Sequence, residues 1–251
     1  MPAHTAPTYA VVIPAYNEAR TLRAVVQRTL TQTPAVIVVD DGSQDGTGET
    51  IHDLPVMLLR NDTNQGKAAS LWRGALAARA QGKEAVITLD ADGQHAPEDI
   101  PLLLNAAQRH PQSIIIAARR LDPRNGPKSR YFGNKIANFW ISWACGYRLQ
   151  DSQSGFRLYP IALFSQLRLA IDRAHSFVFE SEILIEAARQ GVRSVAVSIA
   201  ATYPKNARPS HYGQALDTSR ITRMVAWKLV SRGLFLSGFI HAFMRRQEHN
   251  D

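Results

Sequence analysis

Two carboxylates one residue apart, Asp90 and Asp92 in ITLDADGQH, close an apolar run, and the amide of Gln94 follows two residues later. Carboxylates buried beside a core strand are costly unless something positive meets them. As hard oxygen donors, the three suit Mg2+ or Mn2+, which would bridge them to the oxygens of a bound diphosphate. A dication there neutralises a leaving nucleoside diphosphate as its charge develops. A lone Asp-x-Asp occurs by chance in many loops, so its company matters. Two further apolar runs end in acids or amides, in PAYNE (residues 14–18) and DDGS (residues 40–43).

These three sites need elements that bring them to one place. Short β-branched runs at 9–14, 35–41, 56–60, 85–90 and 113–119 read as strands buried on both faces. Segments of helical period lie between them, at 19–30, 47–54, 66–80 and 97–108. Alternation of this kind predicts parallel βαβ units with right-handed crossovers. In such sheets ligands bind beyond the carboxyl ends of the strands, which is where the acids fall. After residue 118 the beat breaks into a basic Pro- and Gly-containing loop, RRLDPRNGPKSR, and an aromatic helical stretch, YFGNKIANFWISWACGY. A polar turn, QDSQSGFRLYP, a helix around 182–190 and a strand, VRSVAVSI, follow.

The chain of 251 residues suits one large α/β domain. Charge divides it unevenly. Residues 1–118 carry nine Lys and Arg against twelve Asp and Glu, net −3; residues 119–251 carry twenty against nine, net +11. The basic half points to an anionic partner. The single cysteine, Cys145, excludes an internal disulfide and fits a reducing, cytoplasmic setting. No secretory leader and no 18-residue apolar window is expected; the nearest approach is GLFLSGFIHAFM.

Other phosphate-binding motifs fail on the letters. Gly66-Lys67 lacks both the upstream glycine and the following Ser or Thr of a Walker A loop. The glycines at 42, 46 and 48 do not spell the dinucleotide-binding G-x-G-x-x-G. A nucleic-acid-binding reading, prompted by a pI near 9.9, lacks any recognised reading motif.

VVIPAYNEARTL, VIVVDDGSQDGT, NQGKAASLWRGALAA, ITLDADGQH and DSQSGFRLY, in this order and spacing, resemble the family 2 inverting glycosyltransferases. The likeness is greatest to the branch of dolichol-phosphate mannose synthases and bacterial polyprenyl-phosphate sugar transferases. The resemblance implies a GT-A α/β nucleotide-sugar domain over residues 1–201, with a basic helical tail at 202–251. It implies that Pro14, Tyr16, Glu18, Asp40, Asp41, Gly42, Ser43, Lys67, Asp90 and Ala91 bind the nucleotide-sugar. Asp90, Asp92 and Gln94 would hold the metal, Mg2+ or Mn2+. Helix capping by Asp40 and Asp41, and core packing by Tyr16, are the plainer alternatives.

In that branch a basic pair binds the phosphate of the lipid acceptor, and Arg119 and Arg130 match it, with Asn134 beside them and Arg120 and Lys128 nearby. Ala117-Ala118-Arg119 keeps the cation of the branch's Gly-Ser-Arg and loses a hydroxyl. An anionic acceptor needs no protein base, whereas a hydroxyl acceptor on a non-prenyl lipid or aryl ester does. Besides Asp92, the catalytic candidates are Asp151, Glu180 and Glu182; Glu182 also reads as an ordinary first-turn helix acid. His211 is a further phosphate-contact candidate. The segment AWKLVSRGLFLSGFIHAFMRR reads either as an amphipathic helix at an anionic membrane face or as a terminal helix packed on its own core.

Overall fold

The computed structural model describes residues 6–120, 128–167, 169, 178–200 and 214–244. Its centre is a seven-stranded sheet in the order β3-β2-β1-β4-β6-β5-β7. The strands are β1 (Tyr9–Ala15), β2 (Val36–Asp40), β3 (Met57–Arg60), β4 (Ala85–Thr88), β5 (Ile114–Arg119), β6 (Arg157–Pro160) and β7 (Ser194–Ile199). All pairings are parallel except the two made by β6.

The continuous apolar strand runs follow from burial on both faces. In β1, Ala10 and Val12 enter the core on one side, and Val11 and Ile13 enter it on the other. Each fully buried Val or Ile contributes roughly 1.5–3 kcal/mol. Helices α1 (Leu22–Leu30) and α3 (Ile100–Arg109) cover the second side. Helices α2 (Lys67–Ala80), α4 (Lys128–Cys145), α6 (Phe179–Arg189) and α7 (Gln214–Val230) cover the first, with the short α5 (Leu163–Gln166). Gly74 lets α2 lie against β1, since a Cβ there would stand 2.4 Å from Val12 Cγ1.

The structure corrects the sequence reading at four places. Residues 47–54 make only a 3-10 turn, Gly48–Ile51. β3 is a sheet edge with Met57 and Leu58 exposed, so it is not buried on both faces. The polar turn conceals β6, which runs antiparallel between β4 and β5 and carries the buried Arg157. The C-terminal stretch is not one helix. It breaks after α7 at Gly233–Phe235, where Leu234 (φ 63°) and Phe235 (φ 42°) take left-handed backbone, and resumes as α8 (Leu236–Phe239) and a π-turn, Ile240–Met244. Within the tail segment read in two ways, Leu229 and Ala242 are buried, whereas Trp227, Leu236, Ile240 and Met244 stay exposed.

Candidate active site

The carboxyl ends of β1, β2 and β4 lie side by side, as the parallel register requires. The loops after β1 and β2 are stitched together. Ser43 Oγ accepts the Asn17 N–H at 2.9 Å, Thr47 Oγ1 accepts that of Glu18 at 2.8 Å, and Asn17 Oδ1 accepts that of Gln44 at 2.9 Å. A cleft of about 380 Å³, lined by Asn17, Arg20, Gln44 and Asp45, opens between these loops. Pro14, Tyr16 and Glu18 sit at the same strand end, each partly buried.

Asp40 and Asp41 lie beneath this surface, 0% and 3% exposed. Asp40 Oδ1 accepts the Ser43 N–H at 2.9 Å. Asp41 binds the N–H groups of Gln65 (2.9 Å) and Gly66 (2.8 Å) and the Asn61 amide (2.7 Å). The geometry therefore gives Asp41 the task of shaping the loop that starts α2. Gly42 must be glycine: φ is +73°, and a Cβ would meet the Thr63 carbonyl carbon at 2.8 Å.

The Asp-x-Asp pair divides. Asp90 Oδ1 lies 2.6 Å from Lys67 Nζ, which also lies 2.7 Å from Glu180 Oε1. Lys67 opens α2, where the helix dipole disfavours a cation, and the two acids reverse that. His95 Nε2 stands 3.7 Å from Asp90 Oδ2, and His95 Nδ1 is buried without a hydrogen-bond partner among the described residues. Burial alone would raise the Asp90 pKa; the Lys67 ammonium and His95 together outweigh it and hold Asp90 far below the usual carboxylate range. Burial likewise opposes the Lys67 charge, and Asp90 and Glu180 together hold it above the ordinary lysine range. Asp92 shifts the other way. Burial, then the Asp90 charge, pushes its pKa up, and it is met by the Gln94 backbone N–H (2.9 Å) and side-chain amide (2.7 Å).

A second centre lies at the end of β5. Asp151, 4% exposed with φ +48°, takes the Arg119 guanidinium in a fork: Nε to Oδ2 and Nη2 to Oδ1, both 2.8 Å. It also accepts the Arg119 backbone N–H at 2.9 Å and the Asn134 amide at 2.7 Å. Burial would raise the Asp151 pKa, but hydrogen bonding and charge from Arg119 hold it below the usual range. Arg157 is fully buried and donates to four oxygens: the Ser152, Ser154 and Glu180 carbonyls and the Tyr159 hydroxyl. It fastens the 151–156 loop to the start of α6.

The structure thus groups Lys67, Asp90, Asp92, Gln94 and Glu180, and it groups Arg119, Asn134 and Asp151. It does not bring Glu182 to either. That carboxylate faces α7, 2.8 Å from Lys228 Nζ, because residues two apart on a helix face apart. The Arg130 and Lys128 side chains, and His211, lie outside the described residues. Ala91 is buried between the two acids. Sequence reasoning assigned no task to His95, Gly155 or Arg157, although all three stand within the motifs it singled out.

The mostly parallel sheet, with acids gathered at its strand ends, has the GT-A fold of glycosyltransferases. The solved structure of glucosyl-3-phosphoglycerate synthase from Mycobacterium tuberculosis, in complex with Mn2+, UDP and glucosyl-3-phosphoglycerate, superposes with a TM-score of 0.67 at 21% identity, covering 90% of this chain and 80% of that one. Residues 10–167 match glycosyl transferase family 2, and the chain belongs to that family. Polyprenol monophosphomannose synthase of Mycolicibacterium smegmatis is 30% identical over 214 residues, covering 80% of each chain. A UDP-N-acetylglucosamine–dolichyl-phosphate N-acetylglucosaminyltransferase of Methanococcus voltae is 28% identical over 247 residues, covering 90% of this chain and 94% of that one.

Proposed function

We propose that this family 2 glycosyltransferase moves a sugar from a nucleotide-diphospho-sugar to a polyprenyl phosphate, with inversion at the anomeric carbon. The observation that carries the acceptor is the state of the candidate bases. Asp151 is tied to Arg119, Glu180 to Lys67 and Glu182 to Lys228. A hydroxyl acceptor would need one of them to take its proton. A phosphate acceptor arrives already charged, and the relatives named for dolichyl and polyprenol phosphates agree with it.

In this reading a phosphate oxygen forms the new bond to the anomeric carbon as the bond to the diphosphate breaks, and the electron pair leaves with the nucleoside diphosphate. Arg119, fixed by Asp151 and Asn134, meets the acceptor phosphate with a permanent charge. Lys67 keeps Asp90 ionised and in place. Among the described residues no three His, Cys, Asp or Glu side chains converge as a closed metal cage. The hard carboxylate and amide oxygens of Asp92 and Gln94 are nonetheless of the kind that suits Mg2+ or Mn2+, and these two residues would hold it. Asp90 is drawn to Lys67, so it supports that site from beside it. The cation, when bound, supplies charge neutralisation for the leaving diphosphate.

The same reading places the protein peripherally on a lipid surface. No described helix is long and apolar enough to cross a membrane. Phe132, Ile136, Phe139 and Trp140 nevertheless form an exposed apolar stripe on α4, beside exposed Ile240 and Met244.

The test is nucleoside diphosphate release from UDP- and GDP-sugars with Mn2+, offering undecaprenyl phosphate and undecaprenol in detergent. Release is expected with the phosphate alone and is expected to stop on chelation. Equal release with the alcohol overturns the acceptor assignment.

A further inference from the structure

Helix α4 has two faces with different tasks. Outward, Phe132, Ile136, Phe139 and Trp140 recur at helical spacing and are exposed, Ile136 to 61%. The C-terminal segment extends this face, since Phe243 stacks on Phe139 with ring centroids 4.9 Å apart, and Phe239 meets the Trp143 ring edge-on at 5.2 Å. Inward, Asn134 and Asn138 lie one turn apart and are joined, Asn138 Nδ2 donating to Asn134 Oδ1 at 2.7 Å. Asn134 Nδ2 donates onward to Asp151 Oδ1 at 2.7 Å, and Asp151 holds Arg119. Asn138 Oδ1 closes a loop of contacts by accepting the Ser152 N–H at 2.8 Å. Four hydrogen-bonded residues therefore lead from the middle of α4 to the guanidinium proposed to receive the acceptor.

The outward face carries the chemistry of a bilayer interface. Aromatic rings, two of them tryptophans, are grouped with the exposed Lys135, and Arg232 lies over the Phe235 ring at 3.6 Å. This face belongs to the half of the chain with twenty basic against nine acidic residues. An apolar face in a cationic half fits anionic lipid better than a second copy of the same cationic chain.

We propose that α4 couples an anionic bilayer to the acceptor site, with Asn138 and Asn134 as positioning residues that set the Arg119–Asp151 pair according to how the outward face is seated. This rests on the polyprenyl-phosphate reading and adds to it a dependence on the lipid surface. Coupling of this kind requires one element whose arrangement both sites share, and α4 is that element.

The experiment uses the full chain with Mn2+, a sugar nucleotide that it turns over and a short-chain, water-soluble prenyl phosphate. The acceptor and donor KM values are measured with and without vesicles of phosphatidylcholine and phosphatidylglycerol, and vesicle binding is followed by co-sedimentation. For the unaltered protein, vesicles are expected to lower the acceptor KM severalfold and to leave the donor KM in place. Asn138→Ala is expected to raise the acceptor KM roughly tenfold, the equivalent of one lost hydrogen bond. It should abolish the vesicle response and still sediment with vesicles. Asn138→Asp keeps an acceptor for the Ser152 N–H and loses the donor to Asn134, so it should behave likewise, and the melting temperatures of both variants are measured so that a loss of fold is told apart from a loss of coupling. Ile136→Ser with Phe139→Ser should fail to sediment. An unchanged acceptor KM and an intact vesicle response in both Asn138 variants overturn the coupling alone. An unaltered protein that transfers to no prenyl phosphate overturns the functional reading, and the coupling with it.

Discussion

Lys67 Nζ lies 2.6 Å from Asp90 Oδ1, so the first carboxylate of the Asp-x-Asp pair is answered by an ammonium from the start of α2. Glu180, 2.7 Å away on the other side, completes a three-charge row with net charge −1. One acid of the pair is therefore neutralised by the protein itself, whereas Asp92 is met by the Gln94 N–H and side-chain amide, and in the reading proposed above it is the acid that a diffusible cation would meet.

Removing the ammonium should be expensive. Lys67→Met leaves two mostly buried acids facing each other, and breaking a buried pair in this way costs about 3–5 kcal/mol. Adding Glu180→Gln removes the repulsion, so the double variant should recover part of the loss. Denaturant unfolding of both singles and the double should give a coupling energy of about 1–3 kcal/mol. Additive losses would mean that Lys67 and Glu180 do not act on each other.

Asp92→Asn should separate stability from function. The folded-state pKa of Asp92 is raised above its ordinary value by burial and by Asp90. An acid shifted upward destabilises the fold when ionised, and stability is regained as pH falls through the folded-state pKa. At neutral pH the asparagine variant is thus expected to melt higher than the unaltered protein without ligand. It should lose the extra stabilisation that Mn2+ with a sugar nucleotide gives the unaltered chain. A lower melting temperature without ligand would contradict the assigned shift.

The sheet was legible in the letters because β1, β2, β4 and β5 are apolar on both faces, and runs of that kind have few other homes. Strand β6 was not. Its four residues, Arg157–Pro160, include an arginine and a proline, and only the tertiary partners on β4 and β5 make them a strand. Site residues at strand ends were legible by type, but their pairing was not. Asp90 with Lys67, and Asp151 with Arg119, join residues 23 and 32 positions apart, and no local period encodes that. Glu180 and Glu182 looked equivalent in FESE; helix geometry sends one to Lys67 and the other to Lys228.

Gly155 supplies the room for the charged row. A Cβ there would stand 2.6 Å from Asp90 Oδ2, 2.9 Å from Lys67 Nζ and 3.0 Å from Glu180 Oε1. Gly155→Ala should cost about 1–3 kcal/mol as an overpacked site. Because the atoms displaced are the charged ones, the loss in kcat/KM for the sugar nucleotide should exceed what the fall in stability explains. Turnover measured well below the melting temperature checks this, and full activity there would show that the cluster tolerates the methyl group.

Asp151→Asn distinguishes a holder from a base. The folded-state pKa of Asp151 is depressed below its usual 3.8, since Arg119 outweighs burial. Its ionised form therefore stabilises the fold above that value, and the contribution is lost as pH falls through the folded-state pKa. The asparagine variant should be less stable than the unaltered protein at neutral pH, by up to about 3–5 kcal/mol for a buried pair, and the gap should close in strong acid. As a holder of Arg119, Asp151 acts on the acceptor, so the variant should raise the acceptor KM and leave the basic and acidic limbs of the pH–rate profile where they were. A general base would instead take one limb of the profile with it and lower kcat at saturating acceptor. A carboxylate kept ionised and forked to a guanidinium is a weak proton acceptor at neutral pH, and this favours the first outcome.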